Sequence, residues 1–581
     1  MSRRSLVDSR CIARSVKLLL AIEMCLSLCG GKISAQVRPG IVPRFPLPPQ
    51  TPEPVPLPRP APEAPLELPS PSFPAPETPD VPGSITVTRF EFEGNTAFSN
   101  RQLQEVTAPF TGRPIAFSEL LQAEAAVTKL YTDAGYINSG AVIPAGQTFR
   151  RQGAVVKIRV IEGGVEEIAV TVDGRLNPGY VRSRLALATT RPLDRDRLLE
   201  ALQLLQLDPL IETISAELSA GTSPESSILT VRVKEADTFY LEAFADNNRV
   251  SSIGNFERGI ELNQGNVTGL GDRLNIRYAN TDGSNAVSAG YTVPINPYNG
   301  TISLSAQWNF TKVIEEPFDR LDIEGDADYY EVNIRQPILQ SPTREVALGA
   351  TLTNEESYNR LLGEGFPLSP GASDRGRTGV SALRLIQEWT ERGQQDVLAL
   401  RSQFSIGVDL FNATINEKAP DSQFFTWLAQ GQYARQLAPD TLFVFRFDLQ
   451  LADRPLLSLE QYGLGGLYSV RGYSPYALLT DNAFFASVET RLPILRLDKD
   501  KGVLQLVPFV DFGVGWNASG NPIPTPDTNT LLAVGLGLQY RMGNNFSARF
   551  DWGIPLFELR SPNGGAITQQ NIFFSINYRF F

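Results

Sequence analysis

The chain has 581 residues, a net charge of −11, no histidine and three cysteines, Cys11, Cys25 and Cys29. Its length accommodates several domains. Without imidazole it lacks the commonest general base and metal ligand, which excludes Ser-His-Asp and Cys-His catalysis. An acidic surface argues against nucleic acid, whose phosphates need a basic face.

Residues 1–35 read as a secretory signal. Arg3, Arg4, Arg10, Arg14 and Lys17 form its positive region, and "LLLAIEMCLSLCGG" its apolar region. That stretch is short and interrupted by Glu23, so it does not fit a spanning helix. "ISA" before Gln36 fits a cleavage site. The segment carries six basic and two acidic residues, so its removal takes the net charge from −11 to −15. Removal also takes every cysteine, and with them any disulfide or thiolate metal site. No later window holds about 18 consecutive apolar residues, so no transmembrane helix is expected. An exported chain of this kind is either soluble or an outer-membrane barrel, whose alternating strands escape hydropathy plots.

Residues 36–83 are proline-rich throughout. Proline lacks the N–H that helices and sheet interiors need, so a stiff polyproline II spacer is expected, with no helical segment. At Ser84 the composition changes. "SITVTRFEFEGNTAF" alternates as a strand and ends at Gly94-Asn95. A helix is expected from about Ser118 to Ala134, with Leu120, Ala123, Val127, Tyr131 and Ala134 on one stripe and Gly135 as its stop. "GAVVKIRVIEGG" is a further strand. The order then repeats: strand-like "VEEIAVTVDG", two helix-like stretches (the second capped by Asp194), and strands "ISAELSAG" and "SSILTVRVKEA". Residues 84–162 and 163–235 thus form two copies of a small α/β unit.

From 236 to 581 helical periodicity disappears. In "TISLSAQWNF", Ile302, Leu304, Ala306, Trp308 and Phe310 oppose Ser303, Ser305, Gln307 and Asn309. "RLNIRYAN" and "LFVFRFDLQLA" alternate in the same way, with charged residues on one face. Such strands suit a wall between lipid and a wet lumen. At roughly 20 residues per strand and connection, the segment gives an all-β transmembrane barrel of about 16 antiparallel strands. "NIFFSINYRFF" closes the chain with Ile572, Phe574, Ile576, Tyr578 and Phe580 on one face and Phe581 one residue out of register.

Several stretches resemble known families. "FEFEGNTAFS", "YTDAGYINSGAVIP" and "GQTFRRQGAVVKIRVIEGGV" in the first α/β unit are similar to the POTRA domain of polypeptide transporters, as is "LLQLDPLIETISAELSAGTSPESSILTVRV" in the second. "GNVTGLGDRLNIRY" followed by "YTVPINPYNG" resembles the opening of hemolysin-activator type transporters of two-partner secretion. "SVRGY" and "FVDFG" are similar to signature words of the wider barrel superfamily, and the likeness covers about 84–581. It implies a transporter that needs no cofactor. POTRA units in the periplasm would capture an unfolded partner polypeptide by strand addition at a sheet edge, and the outer-membrane barrel would pass it outward. No GxxxxGK[ST] run is present, so folding of the partner outside, rather than nucleotide hydrolysis, is expected to supply the energy. Besides the secreted polypeptide, outer-membrane lipid and the barrel assembly machinery are the expected partners. Phe580 and Phe581 are the expected assembly signal. The competing reading is an outer-membrane insertase, although insertases usually carry more POTRA units than two.

The same resemblance implies a lumenal loop carrying Val470, Arg471, Gly472 and Tyr473, and an inner-wall word carrying Phe509, Asp511 and Gly513. Arg471 is expected to meet Asp511, since a carboxylate can hold guanidinium in a fork. Gly465, Gly466 and Gly472 allow the tight path of the loop. Gly513 and Gly515 are expected to pack beneath it, and Tyr473 to anchor it. In a wet lumen the contact is worth no more than about 1–3 kcal/mol. The Arg471→Ala variant should therefore assemble its barrel and secrete poorly.

Overall fold

The computed structural model describes residues 66–67, 84–148, 152–223, 225–497, 502–526, 529–559 and 570–580. The expected signal peptide 1–35, nearly all of the proline-rich tract 36–83 and Phe581 lie outside the described residues.

The first α/β unit is a four-stranded sheet. Ser84–Glu93 and Gln152–Ile161 pair in parallel at its centre, with Pro114–Ala116 and Gly140–Val142 on the edges. Two helices, Asn100–Thr107 and Phe117–Asp133, cover one face. The stripe Leu120, Ala123, Val127 and Tyr131 is buried against Val87, Phe90 and Phe92. Ala134 is exposed instead, because the helix has already ended at Asp133.

Glu162 ties the unit together. Its carboxylate accepts from Thr96 N–H at 2.6 Å, Ala97 N–H at 2.8 Å and Tyr131 O–H at 2.8 Å, as well as from the Thr96 hydroxyl. Burial pushes its pKa up, but these donors outweigh burial and hold it below the ordinary carboxylate value.

The second unit repeats the topology. Ile211–Ala220, Ser226–Glu235 and Gly164–Asp173 form its sheet, covered by Pro178–Ala186 and Arg195–Gln206. Asp194 caps the latter helix, accepting from Asp196 N–H at 2.8 Å. Two residues of the proline-rich tract, Leu66–Glu67, form a parallel rung on the outer edge of Ile211–Ala220. Between Pro65 and Pro69 an edge is where such a segment can pair.

From Phe239 to Arg579 sixteen antiparallel strands close into a barrel, with the two-residue strand Glu364–Gly365 as an extra pairing. The last strand, Ile572–Arg579, pairs with the first, Phe239–Asp246, from Ser575↔Asp246 to Arg579↔Glu242. The alternation sorts as the sequence implies. Leu304, Trp308 and Phe310 are exposed on the outer wall, whereas Gln307 and Asn309 line the lumen. A continuous outer band of this kind needs lipid.

The second unit docks on the turns at one barrel end. Asn177 N–H donates to Gly269 O at 2.8 Å, and Arg184 Nε donates to Asn299 Oδ1 at 2.8 Å. These turns belong to the sequence words "GNVTGLGD" and "NPYNG".

The Glu162 cluster gives a pH prediction. Its stabilisation is complete above the ordinary carboxylate range and is lost as pH falls through the lowered folded value. Amide protection factors across 94–98 should therefore fall in acid. Glu162→Gln should lower them already at neutral pH, by about 1–3 kcal/mol of local stability. Unchanged protection in that variant would show that the carboxylate does not hold the unit together.

Candidate functional site

Residues 453–481 connect the barrel strands Thr441–Ala452 and Asn482–Arg496. This loop does not stand out from the barrel but turns back into it. Tyr462–Leu464 and Leu478–Thr480 pair as its stem, leaving 465–477 as the tip. Apolar residues of the loop, Leu464, Val470, Tyr473 and Leu478, pack on Ala483, Phe485, Leu531 and Ala533 of the wall.

The tip touches the wall backbone to backbone. Gly472 has φ +97°, and a Cβ there would stand 3.0 Å from the carbonyl carbon of Gly553. A Cβ on Gly553 would stand 2.6 Å from Gly472 N. Each glycine therefore makes room for the other. Gly472 was legible in the sequence word, whereas Gly553 was not. Gly513 plays a similar part beneath the loop, since a Cβ there would meet Val470 Cγ2 at 2.8 Å. At Gly515 the obstruction would be Thr480 Oγ1, at 2.5 Å.

Arg471 is held on all sides. Asp511 takes it in a fork, Nε to Oδ2 at 2.7 Å and Nη2 to Oδ1 at 2.8 Å, and also accepts its backbone N–H at 3.1 Å. Nη1 donates to Glu489 at 2.9 Å and lies 3.5 Å from Asp551. Ser487 Oγ accepts from Nη2 at 3.2 Å and donates to Asp511 at 2.6 Å. The guanidinium carbon lies 3.5 Å from the centroid of the Phe509 ring, which adds a cation–π contact.

The contacts continue outward. Arg549 bonds Glu489 at 2.9 Å and Asp551 at 2.6 Å, and Arg491 bonds Glu489 at 2.8 Å. Three guanidinium groups and three carboxylates thus alternate. They come from the loop and from the strands Asn482–Arg496, Val503–Trp516 and Phe546–Pro555.

The expected wet setting is not what the structure has. Arg471 is 1 % exposed, and Asp511 and Asp551 are 0 % exposed. The close glycine contact and the apolar packing exclude water. A buried ion pair is weak evidence for stability as such, but removing one partner strands the other's charge, at a cost of about 3–5 kcal/mol.

Tyr473 is fully buried, and its hydroxyl lies 2.9 Å from Phe557 O and 3.1 Å from Leu532 O. It anchors the tip by hydrogen bonding. Phe580 lies apart from this site, exposed on the outer wall edge-on to Tyr578 at 4.9 Å. Sequence reasoning missed Glu489, Asp551, Arg491 and Arg549. Period-two alternation places Ser487, Glu489 and Arg491 on one face, and Arg549 with Asp551 on another. It does not say which inward acid the loop reaches.

This network yields a stability prediction. Arg471→Ala should free the tip, with faster amide exchange over 465–476 equivalent to about 3–5 kcal/mol. Arg471→Ala/Asp511→Ala should cost less than the sum of the two single changes, because it leaves no stranded charge. Additive losses would mean that the pair is not coupled.

The fold agrees with comparisons to known proteins. The family model for haemolysin secretion/activation protein ShlB/FhaC/HecB matches residues 225–540, and a ShlB-type POTRA domain model matches 85–163. The chain is 22 % identical over 473 residues to the heme/hemopexin transporter protein HuxB of Haemophilus influenzae, covering 78 % of this chain and 80 % of that one. It is 21 % identical over 399 residues to the outer membrane transporter CdiB of Dickeya dadantii, covering 67 % and 69 %. The solved structure of CdiB from Escherichia coli superposes with a TM-score of 0.66 at 19 % identity, over 88 % of this chain and 93 % of that one, and shares the fold. The chain belongs to the ShlB/FhaC/HecB family of haemolysin secretion/activation proteins, the outer-membrane transporters of two-partner secretion.

Proposed function

We propose that this chain captures one unfolded exported polypeptide on its two α/β units in the periplasm and secretes it through the barrel without nucleotide hydrolysis. The observation that carries this reading is the occupied lumen. A closed barrel holds a folded-in loop whose charged tip is bonded to its wall, so passage requires that loop to move. A passive pore has no use for such a device, nor for two sheet-bearing units at one end.

Both units act as POTRA domains, the first over 84–162 and the second over 163–235. In the second, Gly164–Asp173 and Ile211–Ala220 flank the central strand. The chain's own Leu66–Glu67 adds to Ile211–Ala220 in parallel, so that edge is able to accept an extended segment. Main-chain pairing of this kind asks little of the partner's sequence. The relative HuxB is a heme/hemopexin transporter by name. Phe580 and Phe581 serve as the signal read by the barrel assembly machinery, and Val470, Arg471, Gly472 and Tyr473 as the mobile plug against Phe509, Asp511 and Gly513.

Deleting the gene should remove one large protein from the culture medium and leave the outer-membrane barrels at normal levels. A general loss of barrels would identify an insertase instead. The purified protein should hydrolyse no ATP, and measurable ATPase activity would contradict the proposed energy source.

A further inference from the structure

The lumenal loop has a second charged contact, far from its tip. Its root residues Leu456, Leu457 and Leu459 pack on Val380 and Ala382 of the strand Arg377–Arg392. The next residue, Glu460, meets Arg384 of that strand in a fork, Oε1 to Nη2 at 2.8 Å and Oε2 to Nη1 at 3.2 Å. Ser405 Oγ of the neighbouring strand accepts from Nη1 at 3.0 Å, and Gln450 Nε2 donates to the Glu460 carbonyl at 3.0 Å. Arg384 is 15 % exposed at its side chain and Glu460 7 %.

Two features distinguish this pair from the Arg471 cluster. The polarity is reversed, with the acid on the loop and the base on the wall. Its place also differs. Around the ring of sixteen strands, that of Arg384 stands four from that of Glu489, five from that of Asp511 and seven from that of Asp551, where eight would be directly opposite. The loop is therefore a strut pinned to both sides. A lumenal cavity of about 650 Å³ is lined by Arg384 and Glu460 but not by Arg471, Asp511 or Asp551.

We propose that Arg384–Glu460 is a second latch of the lumenal loop, which must release before the lumen can widen and which opens first because, of the two charged contacts, it is the one that borders the cavity. Releasing only the Arg471 end would leave the loop root across the pore. Releasing Arg384–Glu460 lets the root leave its wall while the dry Arg471 cluster still holds the tip. Charged side chains of an extended polypeptide in the cavity compete for the two ions at this latch. The proposal rests on reading the barrel as a polypeptide conduit. The test therefore reads the pore without cargo.

Purified protein in planar lipid bilayers would be compared with Arg384→Glu, Glu460→Arg, the swapped pair Arg384→Glu/Glu460→Arg, and Glu460→Gln. The last keeps the shape of the side chain and carries the test if a reversal does not assemble, as judged by heat-modifiable migration on gels. Each single change should raise the fraction of time spent conducting about fivefold or more, and the swap should bring it back toward the wild-type value. Wild-type conduction in assembled single variants, or a swap no closer to wild type than the singles, would overturn the latch. Secretion by the same strains separates the two readings. Normal secretion with unchanged conduction removes the latch and keeps the transporter, whereas altered conduction in a protein that secretes nothing keeps the latch and removes the transporter.

Discussion

One buried cation organises the interior of this barrel. Arg471 lies at the tip of a loop that would otherwise stand in solvent, and it is drawn into a dry pocket by Asp511, Glu489 and Asp551. A permanent guanidinium can be buried only if its donors are taken up, and five carboxylate and hydroxyl contacts together with the Phe509 face do so. The alternative state, with the loop outside, returns Arg471 to water but takes its charge away from Asp511, Glu489 and Asp551. On the proposed function the loop would have two discrete arrangements, as a gate requires.

The backbone contact between Gly472 and Gly553 makes this possible. It brings the tip close enough for the Arg471 backbone N–H itself to reach Asp511. A side chain at either glycine would hold the loop away from the wall and let water in, and each ion pair would then lose most of its strength. The apolar cluster of Val470, Tyr473 and Leu464 seals the same face. The cavity beside the loop is lined by Arg384 and Glu460 but not by Arg471, Asp511 or Asp551. The two charged contacts of the loop therefore differ in exposure, 1 % at Arg471 against 15 % at the Arg384 side chain.

Much of this was legible in the sequence, and the missing parts have physical reasons. The alternation in "TISLSAQWNF" fixed an outer and an inner face, since a strand has no other periodicity. The helix stripe Leu120, Ala123, Val127 and Tyr131 was equally plain. Arg471 and Asp511 could be paired because each sits in a recognisable word. Glu489 and Asp551 sit in none. Their meeting with Arg471 depends on the register of neighbouring strands and on how far the loop descends, neither of which is local. Gly553 was illegible for the same reason, because its partner is a backbone from a distant segment. The dryness of the site was misjudged because burial depends on that close approach. Glu460 and Arg384 also sit in no recognisable word, and nothing local pairs them.

The central claim is that the loop must leave the wall for a polypeptide to pass. The most direct measurement locks it there. A Cβ at Gly513 stands 2.8 Å from Val470 Cγ2, so the pair Val470→Cys/Gly513→Cys places two thiols within disulfide reach, in a chain whose own cysteines all lie in residues 1–35. Secretion of the partner protein would be followed with the bridge oxidised and then reduced in the same cells. Secretion that stops on oxidation and resumes on reduction is the result this account predicts. Undiminished secretion with the bridge closed would contradict it.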